Sequence, residues 1–328
     1  MEFRTVQQPL HMEGSISHTT PVMLLGSCFS DNIGSRMRNA LFNVMANPFG
    51  TLYNPASILA VIQRIISCEP LIEQDLISHG RMYHSFLCHS SLSSVHKDKM
   101  LAHINGKMME AHDFLKSASW LILTLGTAWV YRLRDSGCVV SNCHKLPADT
   151  FLRTRLSCSE TQETLMDIVR TLHGFNPSLR IMVTVSPIRH LADGTHGNQI
   201  SKATLLLATQ QLTESYTANG GITYFPAYEI MMDDLRDYRF YAPDMCHPSE
   251  TAVDYIYRCF SDSFFSPGTL QLAAQCEKYT RRLRHRPLTD DTESHLAFTK
   301  ATDNIRQRLI TTYPYLEQAI TNIQLFNQ

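Results

Sequence analysis

The chain has 328 residues, of which 44% are hydrophobic and 18% charged, with a formal net charge of −1. That balance leaves no electrostatic case for nucleic-acid binding, and it supplies enough apolar residues for a large core in one domain or two. The nine cysteines form no regular framework, which predicts free thiols in a reducing compartment rather than disulfides.

Met1 to Thr5 lacks the apolar segment of a signal peptide. Trp120 to Leu133, the longest apolar stretch, is too short to span a bilayer and is interrupted by Gly126. The expectation is a cytoplasmic protein with no membrane partner. Pro21 to Leu25 reads as a buried strand, a short apolar run bounded by turn residues. Phe29, Ile33, Met37 and Leu41 then repeat every four residues, the stripe of an amphipathic helix. Gly26-Ser27-Cys28-Phe29-Ser30 joins the two, so Ser27 falls at a strand's carboxyl end and a helix N-terminus. Open sheets bind ligands there, and the helix dipole favours an anion. A serine at that point is either a helix cap or a nucleophile whose oxyanion is already solvated.

Phe42 to Ala46 predicts a second strand and Pro55 to Ile66 a helix. Residues 67–116 read as an insertion, irregular over the Ser- and His-rich stretch Ile77 to Ser93 and helical from His96 to Leu115. Trp120 to Leu125 is the third strand, followed by an antiparallel excursion of Val130 to Leu133 with Val139 to Asn142. Thr161 to Leu172 predicts a helix, Arg180 to Val185 a strand, Gln199 to Tyr216 a long helix and Ile222 to Phe225 the last strand. Strands separated by helices of this length imply a mostly parallel sheet covered on both faces. Leu270 to Leu283, Glu293 to Ile310 and Tyr315 to Leu325 carry helical patterns and no strand. The reading is a catalytic domain over 1–262 and a C-terminal helical extension over 263–328. The basic run Lys278 to Arg286 reads as a solvated helix face.

Asp244-Met245-Cys246-His247-Pro248 opens a helix whose apolar face is Ala252, Val253, Ile256 and Phe260, with Pro248 suited to the first turn. A carboxylate three residues before an imidazole can hold its tautomer and stabilise its cation. A strand-end serine early and Asp-x-x-His late together predict a triad of Ser27, His247 and Asp244. Cys28 offers a competing thiol, since a helix N-terminus lowers a cysteine pKa. One step into the helix, however, it is expected to point away, which favours Ser27. His79, His84 and His89 lie five apart, and Cys138, Cys143 and His144 match no zinc spacing, so neither a metal nor a cofactor is expected.

Gly26-Ser27-Cys28-Phe29 resembles the signature of the GSCFA-domain family, with Ser30 where that name has Ala. Asn47-Pro48-Phe49-Gly50-Thr51-Leu52-Tyr53-Asn54-Pro55, Ser141-Asn142-Cys143-His144-Lys145 and Ser186-Pro187-Ile188-Arg189-His190 are similar to further motifs of the family. The resemblance runs from about Val22 to about Phe260. It implies a relation to the SGNH (GDSL-like) hydrolases, a flavodoxin-like three-layer α/β/α fold and ester hydrolysis. Carried over by motif, Ser27 matches the nucleophile, Asp244 and His247 the Asp-x-x-His pair, and Ser27 with Gly50 the backbone oxyanion donors. Gly126-Thr127-Ala128 has Ala128 where the superfamily places an asparagine donor. Asn47, Asn54, Thr127, Asn142, His144, Arg189 and His190 are candidates for substrate contact, and Thr127, Asn142 or His144 for the missing donor. The implied activity is hydrolysis of an O-acyl ester, such as acetyl on a carbohydrate or a cell-wall-related substrate. Acyl transfer through the same triad and a non-catalytic ligand-binding module are the alternatives.

Overall fold

The computed structural model describes residues 5–12, 14–216, 222–285 and 292–326. Met1 to Arg4, where a leader would begin, lie outside them, as does Arg286 of the basic run. In chain order the elements are β1 (Val22–Gly26), α1 (Cys28–Asn39), β2 (Val44–Ala46), α2 (Pro55–Ser67), β3 (Ile77–His79), β4 (Met82–His84) and α3 (Lys97–Ser117). Next come β5 (Trp120–Leu125), β6 (Trp129–Leu133), β7 (Val139–Val140), β8 (Phe151–Arg155), α4 (Cys158–Phe175), β9 (Arg180–Val185) and α5 (Gly194–Ser215). The chain ends with β10 (Ile222–Tyr224), α6 (Ala227–Glu229), α7 (Glu250–Phe264), α8 (Pro267–Leu283), α9 (Thr292–Thr312) and α10 (Glu317–Phe326).

The central sheet has the order β10-β9-β5-β1-β2. β1 pairs with β5, β5 with β9 and β9 with β10, all parallel, with Val22 opposite Trp120 and Gly26 opposite Thr124. Numbered among themselves, these strands run 2-1-3-4-5, the flavodoxin-like order whose switch point lies beyond the carboxyl ends of β1 and β5. Alternation explains the apolar runs. Met23, Leu25, Leu121, Leu123, Ile181 and Val183 pack with apolar residues of α2, α3, α4 and α5, while Val22, Leu24, Trp120, Ile122 and Met182 are buried on the opposite face. The result is a mostly parallel sheet flanked by helices, followed by C-terminal helices.

Contacts divide the chain into two compact units: residues 1–7, 22–32 and 45–256, and residues 8–21, 33–44 and 257–328. The second unit is therefore more than a C-terminal tail. Its core joins Leu41 to Leu272, Cys276, Tyr279, Leu309, Leu316 and Ile320. Arg282, expected on a solvated face, donates to the Thr302 hydroxyl and the Phe298 carbonyl and stacks over the Phe298 ring, because α9 covers it.

One local reading also changes, and one strand is added. Ile77 to Ser93 is not wholly irregular: β3 and β4 form a hairpin across Gly80 and Arg81, both at positive φ as a tight two-residue turn requires. Phe151 to Arg155 is a strand beside β6, where the Arg153 guanidinium lies 4.0 Å over the Trp129 ring. Among the described residues, no helix is long and apolar enough to cross a membrane.

Candidate active site

The close approach of β1 and β5 shapes the turn after β1. Gly26 has φ +142°, and a Cβ there would lie 2.2 Å from the Thr124 carbonyl oxygen, so only glycine fits. Its N–H donates to Asn47 Oδ1 at 2.9 Å, and the Asn47 amide reaches the Ser27 carbonyl at 3.5 Å. Asn47 thus holds the turn rather than facing a ligand.

Ser27 still belongs to the parallel ladder: its N–H donates to the Thr124 carbonyl at 3.1 Å. The side chain is 1% exposed, donates to Ser186 Oγ at 3.0 Å and accepts the Phe29 N–H at 3.3 Å. It caps α1 and ties the end of β1 to the end of β9. Cys28, the first residue of α1, takes the orientation expected of Ser27. Cys28 Sγ lies 3.4 Å from His247 Nε2.

The loop bearing His247 is braced from within. The Ala242 N–H donates to the His247 carbonyl at 2.7 Å, and the Ser249 N–H to the Phe240 carbonyl at 2.8 Å. Asp244 Oδ1 accepts the N–H groups of Cys246 and His247, both at 2.9 Å, and Oδ2 meets His247 Nδ1 at 2.6 Å. Those two N–H groups first, and the imidazole second, hold the Asp244 carboxyl down to about 2. A carboxylate can only accept, so Nδ1 carries a proton and His247 turns its Nε2 toward the thiol. Pro248 precedes the helix instead of opening it: Ser249 is the cap, its hydroxyl accepting the Ala252 N–H at 3.3 Å.

Arg189 joins this loop to the edge of β9. Its N–H donates to the Cys246 carbonyl and its guanidinium to the Met245 carbonyl, each at 3.0 Å, so it positions the histidine loop. His190 follows, with its N–H on Asn198 Oδ1 at 2.9 Å and its ring edge-on to Tyr53 at 6.0 Å. Burial first, then the Lys202 charge, pushes the His190 imidazole down to about 4.

Lys202 was not read from the sequence. Its 1% exposed side chain donates from Nζ to the carbonyls of Gly126 and Ser186, each at 2.7 Å, at the ends of β5 and β9. Burial lowers it to about 7, against the opposing pull of Cys28. Burial, followed by Asp31, raises the Cys28 thiol to about 11, and Lys202 partly counters them. The resting pair is therefore a neutral thiol beside an imidazole. Asn198, Ser201 and Lys202, at helical spacing on the buried stripe of α5, were the available signal.

Several expected contacts fall elsewhere. The Gly50 N–H donates to the Asn47 carbonyl at 2.8 Å, closing a tight turn, and φ +81° with His89 alongside requires glycine there. Both backbone donors assigned to an oxyanion, on Ser27 and Gly50, are thus engaged by the fold. Asn54 caps α2 through the Ser57 N–H at 2.8 Å. Thr127 Oγ1 lies 3.0 Å from Ser201 Oγ and accepts the Trp129 N–H, and Ala128 is fully buried. Asn142 accepts the His144 N–H at 2.8 Å, while His144 Nε2 meets the Ser85 carbonyl at 2.8 Å and its ring packs on His84. His144 Nε2 is thus engaged, while its Nδ1 has no partner. Among the described residues, no three His, Cys, Asp or Glu side chains converge as metal ligands.

A family model of the GSCFA family matches residues 21–260. The chain belongs to the GSCFA family. No curated protein matches it. Among solved structures it is similar to "a putative platelet activating factor from Streptococcus pneumonia", 12% identical with a TM-score of 0.41 over 76% of this chain and 86% of that one. It is also similar to an acetyl xylan esterase from the rumen bacterium Butyrivibrio proteoclasticus, 10% identical with a TM-score of 0.40 over 75% of this chain and 64% of that one. A carbohydrate esterase family 3 protein from Talaromyces cellulolyticus is 10% identical, with a TM-score of 0.37 over 78% of this chain and 99% of that one.

Proposed function

We propose that this GSCFA protein transfers an acyl group from an O-acyl ester through a Cys28–His247–Asp244 triad. The observation that carries this reading is the contact of Cys28 Sγ with His247 Nε2 at 3.4 Å while Asp244 holds Nδ1 at 2.6 Å. The sequence had favoured a Ser27 nucleophile, but its hydroxyl is directed to Ser186.

His247 Nε2 takes the thiol proton as sulfur attacks the ester carbonyl, so a C–S bond forms and the carbonyl electron pair moves to oxygen. Collapse of that oxyanion breaks the C–O bond, and the alcohol leaves with the proton from His247. Water, activated by the same imidazole, then cleaves the thioester, releasing the acid and restoring the thiol. With the thiol raised to about 11, proton transfer accompanies attack rather than preceding it. The Cys28 N–H lies in the first turn of α1, where helix N–H groups have no intrahelical acceptor and the dipole favours negative charge. It is the backbone donor for the oxyanion. A sugar hydroxyl replacing water as acceptor would make the same site an acyltransferase.

Brief incubation with p-nitrophenyl acetate, followed by acid quench and mass spectrometry, tests the reading. It expects a hydroxylamine-labile acetyl on Cys28. Acetyl on Ser27, or release of p-nitrophenol undiminished in Cys28→Ala, overturns it. Acetylated xylan oligosaccharides and free sugar acceptors then separate hydrolysis from transfer.

A further inference from the structure

We infer that His190 donates its Nε2–H to the oxyanion formed at Cys28, replacing the side-chain donor absent at Ala128. The inference rests on the thiol-nucleophile reading above and adds the group that completes the site.

Three observations meet at this ring. First, His190 Nε2 is buried and has no hydrogen-bond partner. An unpaired buried polar atom is costly, and such an atom calls for a partner such as a ligand or intermediate. Second, Nε2 lies 3.4 Å from the position of a Cβ on Gly126, so it fills the space above the first residue of Gly126-Thr127-Ala128. The imidazole therefore lies beside the first residue of the motif whose third residue lacks the amide donor. Third, the segment carrying His190 lies between the two halves of the triad. Ser186 accepts from Ser27, the residue before the nucleophile, and Arg189 donates to the carbonyls of Cys246 and Met245 beside His247.

The surroundings favour a neutral donor. Burial first, and then the Lys202 charge, oppose a positive charge on His190, with Asp193 pulling the other way. A neutral imidazole with Nδ1 unprotonated presents its hydrogen at Nε2. The buried Lys202 Nζ donates to the Gly126 and Ser186 carbonyls, and in its protonated form it favours an oxyanion over a neutral carbonyl. Asn198 and Tyr53 hold the ring in place, one on the His190 N–H and the other edge-on.

Two reagents separate a donor from a structural residue. Iodoacetamide alkylates Cys28 without forming an oxyanion, whereas a trifluoromethyl ketone binds by forming one on the same sulfur. In His190→Ala, p-nitrophenyl acetate turnover and trifluoromethyl ketone affinity should each fall about a hundredfold, the usual effect of losing one oxyanion donor. The iodoacetamide rate should stay within about twofold, since the thiol and His247 are untouched. His190→Gln, which returns an N–H donor, should recover most of the ketone affinity and also covers the case of an alanine variant that does not fold. An iodoacetamide rate that falls in step with turnover, or a ketone affinity unchanged in both variants, overturns the inference. A Cys28→Ala protein that still turns over the ester defeats the nucleophile reading instead, and that outcome is read without any His190 variant.

Discussion

His18 and His190, one in each compact unit, are both buried and both pushed down to about 4, with burial as the largest cause. They differ in what their ring nitrogens meet. His18 Nε2 donates to the Ala40 carbonyl at 3.0 Å, and its ring stacks on Phe42 at 4.1 Å, within the helical unit. His190 Nε2 meets nothing, at the edge of the sheet where Cys28, His247 and Lys202 gather. Lowered basicity therefore does not separate a structural histidine from an acting one in this chain. Unmet hydrogen-bonding capacity beside the Cys28–His247 pair does. His144 also has an unmet Nδ1, but its Nε2 is held by the Ser85 carbonyl and its ring packs on His84.

The contrast between a polar edge that acts and a unit that only folds is broken most readily at the triad. Cys28→Ala and His247→Ala should each reduce acyl-ester turnover by at least about a thousandfold, with the double variant no worse, because members of a triad act as a unit. Thermal melting should hardly change, since Cys28 is only partly buried and His247 is 46% exposed. Losses that multiply in the double variant would mean that the 3.4 Å contact is not catalytic.

The helical unit should show the opposite pattern. His18→Phe keeps the ring on Phe42 but leaves the Ala40 carbonyl unmet, which should cost about 1–3 kcal/mol at pH 7 with turnover unchanged. Its pH dependence sharpens the point. His18 binds protons near 6.5 when unfolded and only near 4 when folded. Between those values the unfolded chain carries more protons, so stability falls as pH drops from about 6.5 to about 4, and is intact above that window. Over the full window this amounts to about 3 kcal/mol. Denaturant titrations at pH 7 and pH 4 should show that His18→Phe loses less on acidification than the parent does. Equal losses would place the acid sensitivity elsewhere, with His190 the first alternative.

Much of the fold was legible because hydrophobic period reports burial directly. Trp120 to Leu125 and Arg180 to Val185 are strands at the expected bounds, and the run after Gly26 is a helix. What period could not supply was register at a junction. Whether Ser27 or Cys28 faces the site depends on how far the β1–β5 ladder runs before α1 begins. It runs one residue past Gly26, to the Ser27 N–H on the Thr124 carbonyl. The strands of β3, β4 and β8 were missed for another reason: three to five residues leave too short a pattern to count. Asp244 and His247 were readable as a pair because their contact is local. Lys202 and His190 act through partners distant in sequence, and only the folded sheet edge brings those partners to them.

The smallest effect falls on the residue the sequence had favoured. Ser27→Ala removes the acceptor of the Phe29 N–H and the donor to Ser186, a capping loss of about 1 kcal/mol. Turnover should fall by less than about tenfold, through slight loosening of a turn whose backbone bonds, Gly26 to Asn47 and Ser27 to Thr124, do not involve the hydroxyl. Ser27 and Cys28 are neighbours at the same helix N-terminus and sheet edge. The difference between the two alanine variants therefore isolates side-chain direction as the cause. A Ser27→Ala protein that loses all turnover while Cys28→Ala keeps it would return the nucleophile to the hydroxyl. It would also require the turn to rotate by one residue in the working enzyme, breaking the Ser186 contact at 3.0 Å that now holds Ser27 away from His247.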